Sequence, residues 1–276
     1  MAILLHKETK MNLKTNYIYI IVVAVALLFS ACTSKKDKED TLKIGMELAY
    51  PPFEMSDVNG EPQGVSVDLA YALGEALGKK VEIENIAWDG LIPSLKTSQI
   101  DIILSSMTIT EERKKTIDFS APYAQSSLAI LANKNSNISS IKDFTAGKTI
   151  AVKKGSTGHL YAKDHLSDAN ILVFDKESAC VLEVVQGKAD GFIYDQLTIY
   201  KNWSKNKDTT VALLESFQDD FEYWGMALKQ GDTELKDQVN AFIKQAKSDG
   251  TFDKLAHKHL QEAKATFDEL GIPFFF

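Results

Sequence analysis

IDIILSSMTITEERKKTIDFS, residues 100–120, is the stretch whose reading decides the fold. Ile100–Leu104 is a short run rich in β-branched apolar residues, as expected of a strand buried on both faces. It gives way to a small polar cluster, Ser105-Ser106-Met107-Thr108. Thr110 then suits a helix N-cap, with Glu111 and Glu112 favourable in the first turn. This order of strand, polar turn and helix sets Arg113 beside the carboxyl end of a strand, where open α/β sheets hold their ligands. A permanently charged fork among hydroxyls and free backbone N–H groups suits capture of a carboxylate. Local grounds leave a second reading open, an exposed first-turn arginine paired with Glu111 or Glu112.

The flanking chain repeats the alternation. Leu42–Met46 alternates as a strand, and Pro51 with Pro52 bars helix and central strand, so Glu47–Glu54 reads as a rigid loop. Over Val67–Leu77 the residues Leu69, Leu73 and Leu77 share a helical face, and Gly78 ends the helix. Val81–Glu84 is a strand, and a helix from Leu91 to Ser98 returns the chain to Ile100. Strand–helix–strand–helix–strand predicts an α/β fold with a largely parallel sheet and right-handed crossovers.

Downstream, Leu128–Leu131, Thr149–Val152, Ile171–Phe174 and Ala189–Tyr194 read as strands, with a helix over Glu177–Gln186. The turn Gly155-Ser156-Thr157-Gly158 either presents N–H groups to an anion or is a plain N-cap turn. Asp195 either caps the helix that starts at Gln196 or supplies an anion for a ligand ammonium. Val211–Leu214 and Gly225–Leu228 are late strands, followed by an amphipathic helix over Glu234–Ser248 and a last helix from Gly250.

Composition excludes several classes. At 276 residues the chain holds one or two domains, and 25% charged with 45% hydrophobic residues describes an ordinary globular protein. A net charge of −7 argues against a nucleic-acid partner, which wants a basic face. The 5 histidines are scattered, and no zinc-ligand spacing, phosphate loop or dinucleotide fingerprint occurs, so neither metal nor cofactor is expected. Of the 2 cysteines, Cys180 is expected as a small buried thiol without a disulfide.

The first residues read as an address. Tyr17–Phe29 is uncharged but shorter than the roughly 20 residues of a membrane span, which fits the core of a signal peptide. Lys14 supplies the positive flank, and Met11 is the better initiator, because the residues before it add nothing to such a peptide. Phe29-Ser30-Ala31-Cys32 resembles a bacterial lipobox, although Phe29 replaces the usual aliphatic residue. The resemblance implies that residues 1–32 are a signal peptide and that Cys32 becomes a lipidated N-terminus. Residues 33–41 are polar and charged, a tether that holds the folded part off a membrane.

Several motifs taken together resemble the polar amino-acid-binding proteins of ABC importers. They are Tyr50-Pro51-Pro52-Phe53-Glu54, Gly64–Leu69, Asp89–Leu95, Met107–Arg113 and Asp249–Leu255, in family order over Leu42–Leu260. The resemblance implies two α/β lobes of the type 2 periplasmic binding fold, residues 42–123 with 225–262 and residues 124–224. Crossover strands near Tyr123–Leu128 and Asp220–Gly225 would form the hinge. It further implies the Arg113 fork on a ligand α-carboxylate, helped by the N–H groups of Thr108 and Thr157. Asp195 would hold the α-ammonium, with the Ser106 carbonyl and the Thr108 hydroxyl. Tyr50 and Trp88 would wall the side chain, Glu47 would stand near its tip, and Ser105 and Ser156 would shape the binding loops. A carboxylate at Glu47 favours a basic ligand first and a polar neutral one second.

Implied with this are a monomer outside the cytoplasm, anchored by lipid, that hands a free amino acid to the membrane subunits of an importer. Ser66 departs from the acidic residue common at its position, and the Phe-rich segment 263–276 extends past the usual end and is expected to pack back. Two other functions compete. Cyclohexadienyl dehydratases resemble these proteins and need a general acid, for which Glu47 or Glu183 is available. A sensor subunit is the other, and no downstream signalling segment accompanies it.

Overall fold

The computed structural model describes residues 40–276; the expected signal peptide, Cys32 and nearly all of the tether lie outside the described residues. β1 (Thr41–Met46) leads into a small antiparallel ladder of β2 (Ala49–Tyr50), β3 (Glu54–Ser56) and β4 (Pro62–Gln63). Next come α1 (Val65–Leu77), β5 (Lys80–Asn85), α2 (Trp88–Lys96), β6 (Ile102–Ile103), α3 (Glu111–Lys114) and β7 (Ile117–Phe119). β8 (Ala124–Ser126) carries the chain into a second lobe. That lobe holds β9 (Leu128–Asn133), β10 (Thr149–Lys153), α4 (Thr157–His165), β11 (Asn170–Phe174), α5 (Glu177–Val185), β12 (Gly191–Asp195), α6 (Gln196–Lys205) and β13 (Thr210–Leu213). β14 (Glu222–Trp224) returns antiparallel to β8, and β15 (Ala227–Lys229), α7 (Thr233–Ser248), α8 (Thr251–His259) and α9 (Gln261–Leu270) complete the first lobe.

Each lobe is built on a five-stranded sheet, ordered β5-β1-β6-β15-β7 in the first and β11-β10-β12-β9-β13 in the second. The sheets are mostly parallel, as expected, with one strand in each reversed against both of its neighbours. β1 with β6 and β10 with β11 and β12 are parallel, but β15 runs antiparallel to β6 and β7, and β9 antiparallel to β12 and β13. The reason is the hinge: β9 and β15 arrive directly from β8 and β14 without a crossover helix, so nothing turns them into the common direction. β8 and β14 fall within the two crossover segments read from sequence.

Both sheets are covered on both faces. Along β9, Leu128, Ile130 and Ala132 pack into one cluster with Ile150, Val152 and Ile193, while Ala129 and Leu131 join Ala151 and Phe192 on the other face. The first lobe repeats this, with Ile102 on the α1 side beside Leu69 and Leu73 and Ile103 beside Leu91 and Leu95 of α2. This double burial is why the strands read as unbroken apolar runs. Gly78, with φ 64°, caps α1 in the left-handed conformation expected of its glycine. α2 begins at Trp88, before the expected Leu91, so the indole sits at a helix N-terminus that faces the other lobe. Cys180 is a free, buried thiol whose pKa burial pushes up to about 12.

Candidate functional site

The strand ends of the two lobes face one another. All ten residues singled out from the sequence line a single cleft between them: Glu47, Tyr50, Trp88, Ser105, Ser106, Thr108 and Arg113 from the first lobe, and Ser156, Thr157 and Asp195 from the second. The lobes stand closed on it. Arg113 Nη2 donates to Gly155 O across the cleft at 3.0 Å, and Lys154 Nζ reaches Asp89 Oδ2 at 2.8 Å.

Arg113 is not the exposed first-turn arginine that local sequence allowed. Glu111 and Glu112 pair instead with Lys114 and Lys115, and Arg113 is buried. Thr110 caps α3 as expected, its hydroxyl accepting from Arg113 N at 3.2 Å, which fixes where the side chain starts. Nη1 donates to Thr108 O at 2.6 Å, and the guanidinium lies 5.3 Å from the Trp88 ring centre. Burial lowers its pKa to about 10, so it stays charged at neutral pH, with donors left over for a carboxylate.

Asp195 fulfils the first of its sequence readings, and the cap leaves its second carboxylate oxygen unused. Oδ1 caps α6 by accepting from Thr198 N at 3.0 Å, while Oδ2 and the Tyr50 hydroxyl are buried without a hydrogen-bond partner among the described residues. Burial raises the Asp195 pKa, so an ammonium at this wall would relieve a real electrostatic cost. The Ser156 turn is likewise both a cap and a wall: its hydroxyl accepts from His159 N at 3.2 Å. Gly158 lets this turn approach β12, because a Cβ there would stand 2.6 Å from Ile193 O.

Glu47 and Trp88 need their expected surroundings corrected. Glu47 does not present a free carboxylate, since Oε2 pairs across the cleft with Lys153 Nζ, and both side chains are mostly buried. Lys153 also lies 5.4 Å from the Trp88 ring centre, so two of the protein's own cations already occupy the indole. The sequence hint was present in Lys153 at the end of a strand, but nothing there says which lobe-facing acid it will meet.

Six further residues line the cleft, Ser126 and Leu128 among them, and the other four shape its chemistry. Glu54 is 1% exposed and is met by the hydroxyls of Ser66 at 2.6 Å, Ser106 at 3.0 Å and Ser105 at 3.4 Å. Burial raises its pKa to about 8, so it is mainly protonated at neutral pH and ties the Pro loop to the Ser105-Ser106 turn. Ser106 has φ 47°, the left-handed region few residues adopt, and this bond helps hold it there. Ser66 thus has a structural task. Glu222 on β14 accepts from Thr108 Oγ1 at 3.2 Å and Thr157 Oγ1 at 2.9 Å, one hydroxyl from each lobe. Trp224 and Tyr194 add aromatic surface. Glu222 and Trp224 lie in an aperiodic acidic–aromatic run, where only the expected hinge location could have drawn attention to them.

A cleft between two α/β lobes, walled by fixed charges of both signs and spanned by a two-strand hinge, defines a protein that encloses a small polar solute. The chain belongs to the bacterial extracellular solute-binding proteins of family 3, whose family model matches residues 42–262. It is 31% identical over 237 residues to the L-arginine-binding protein of Pseudomonas aeruginosa, covering 83% of this chain and 90% of that one. It is 29% identical over 267 residues to the ABC transporter glutamine-binding protein GlnH of Bacillus subtilis, covering 89% and 97%. Among solved structures it resembles the ancestral amino-acid-binding protein AncCDT-1, a precursor of cyclohexadienyl dehydratase. The TM-score is 0.73 at 39% identity, over 82% of this chain and 97% of that one. Among the described residues no helix is long and apolar enough to cross a membrane.

Proposed function

We propose that this chain binds one free amino acid between its lobes outside the cytoplasm and delivers it to the membrane subunits of an ABC importer. The observation that carries the reading is the pair of buried opposite charges in one cleft, Arg113 from the first lobe and Asp195 from the second. A zwitterion satisfies both at once, so it bridges the lobes and favours closure. The α-carboxylate goes to the Arg113 fork and the N–H groups of Thr108 and Thr157, and the α-ammonium to Asp195 Oδ2.

The Lys153–Glu47 pair reverses the order of ligand preference. With Glu47 neutralised and the Trp88 face already occupied by cations, a basic side chain gains little there. A neutral amide can donate to Glu47 and accept from Lys153, so glutamine or a similar polar neutral amino acid ranks first and arginine or lysine second. Relatives that bear the names of both ligands support this narrow choice. Aspartate and glutamate rank last, because Glu47 and Glu222 stand in the same cleft.

The protein is a binder rather than an enzyme in this reading. Of the two acids the sequence offers for a dehydratase role, Glu47 is held in an ion pair with Lys153, and Glu183 lies outside the cleft beside Lys188. Anchoring through Cys32 and action as a monomer belong to the same proposal. A thermal-shift screen of the common amino acids tests it, since a ligand at 100 times its Kd adds about 2.7 kcal/mol of apparent stability. Glutamine should shift the melting temperature most, and no shift with any amino acid would overturn the reading.

A further inference from the structure

The match to the family ends at residue 262, and the chain continues into α9 and the segment Ile272–Phe276. This segment does not lie loosely on the surface. Phe275 is 2% exposed and joins the first lobe's core through Phe267, at 5.2 Å between ring centres. The same ring meets Trp224 of hinge strand β14 at 5.6 Å and Phe53 of the Pro loop at 4.9 Å. Phe53 in turn stacks on Tyr50 at 5.2 Å and meets Trp224 edge-on at 4.9 Å. Tyr50 and Trp224 are walls of the cleft.

The backbone adds a second tie. Gln125 of the other hinge strand, β8, donates its N–H to Phe275 O at 2.9 Å and its side-chain amide to Phe274 O at 3.1 Å. One short segment therefore holds both hinge strands and backs the aromatic wall while being rooted in one lobe. Interiors are close-packed and rearrange between discrete packings, so a change behind Trp224 and Phe53 must be passed to the cleft face.

We propose that Phe275 is a positioning residue for ligand binding, bracing the hinge strands and the Tyr50–Phe53–Trp224 wall in the closed arrangement of the lobes. The inference rests on the cleft between the lobes being the binding site, and its test has an arm that needs no ligand. Phe275→Ala should raise the radius of gyration of the protein measured alone by solution scattering, because the closed arrangement loses its brace. With L-glutamine and L-arginine as probes, its Kd should rise about 5- to 30-fold, the lower part of the range of typical couplings between sites, chiefly through faster dissociation. Phe275→Leu, which refills most of the space, should restore most of both. Gln125→Ala, which removes one hydrogen bond and little packing, should move both measurements less and in the same direction, and it serves if Phe275→Ala does not fold.

A ring that only stabilises the fold would lower the melting temperature and leave the scattering and the Kd of the folded protein unchanged; that result would overturn the proposal. If the wild type bound neither probe while Phe275→Ala still expanded, the brace would stand and the ligand assignment would fail.

Discussion

Glu54→Gln should flatten the alkaline side of the stability profile. Glu54 is essentially sealed from solvent and held by three serine hydroxyls, yet burial still lifts its pKa from 4.5 to about 8. A rise of that size corresponds to on the order of 4–5 kcal/mol against ionising the carboxyl inside the fold. The sign follows from linkage. Below about pH 4.5 Glu54 is protonated folded and unfolded, and its contribution is whole. As pH rises towards 8 the unfolded chain gives up this proton first, so stability falls, and above about 8 the loss is complete. Glutamine keeps the shape and accepts from Ser66 and Ser106 but cannot ionise. Urea unfolding from pH 5 to 9 should show the wild type losing several kcal/mol more than Glu54→Gln over that range. Glu177, raised by burial to about 7, tilts both proteins alike, so the difference reports Glu54. Parallel curves would refute a buried neutral carboxyl.

Lys153→Met should leave Glu47 without its cross-lobe partner and move preference towards arginine by about tenfold or more relative to glutamine, read by competition; an unchanged ratio would remove Lys153 from the specificity pocket. Glu47→Gln should cost an amide ligand one polar contact, about 0.5–1.5 kcal/mol by calorimetry. Leu73→Ala, in the first lobe's core, should lose about 2–5 kcal/mol in denaturant unfolding while ligand affinity in the folded protein stays within twofold. Labelling with a fatty-acid analogue should tag the protein through Cys32 and not the Cys32→Ala variant, two acyl chains being enough for stable attachment.

Local chemistry explains what was legible in the sequence. The Ile100–Arg113 stretch could be read because a buried strand, a hydroxyl turn and a Thr cap each have a compositional mark, and the cap fixes where the arginine points. Its choice between surface and cleft came from motif resemblance, and burial of the guanidinium is consistent with that choice. The antiparallel strands could not be seen, because β9 and β15 are apolar runs like their parallel neighbours, and direction depends on how the chain arrives. The Lys153–Glu47 pair and the Glu222 bonds to Thr108 and Thr157 depend on which lobe faces which, a long-range fact with no local period. The Phe-rich end was legible only as apolar surface needing cover; that it reaches the hinge follows from packing.

In the proposed complex Arg113 and Asp195 hold the two charges of one zwitterion. Titration calorimetry of L-glutamine against wild type, Arg113→Ala and Asp195→Ala tests it most directly. Each substitution leaves a charge of the bound ligand unpaired in a buried cleft, so each should lose about 2–5 kcal/mol of binding, roughly 30-fold to several-thousand-fold in Kd. Fold stability, measured in parallel, should change far less. Binding within a few-fold of wild type by either variant would mean that the substituted residue does not hold a ligand charge.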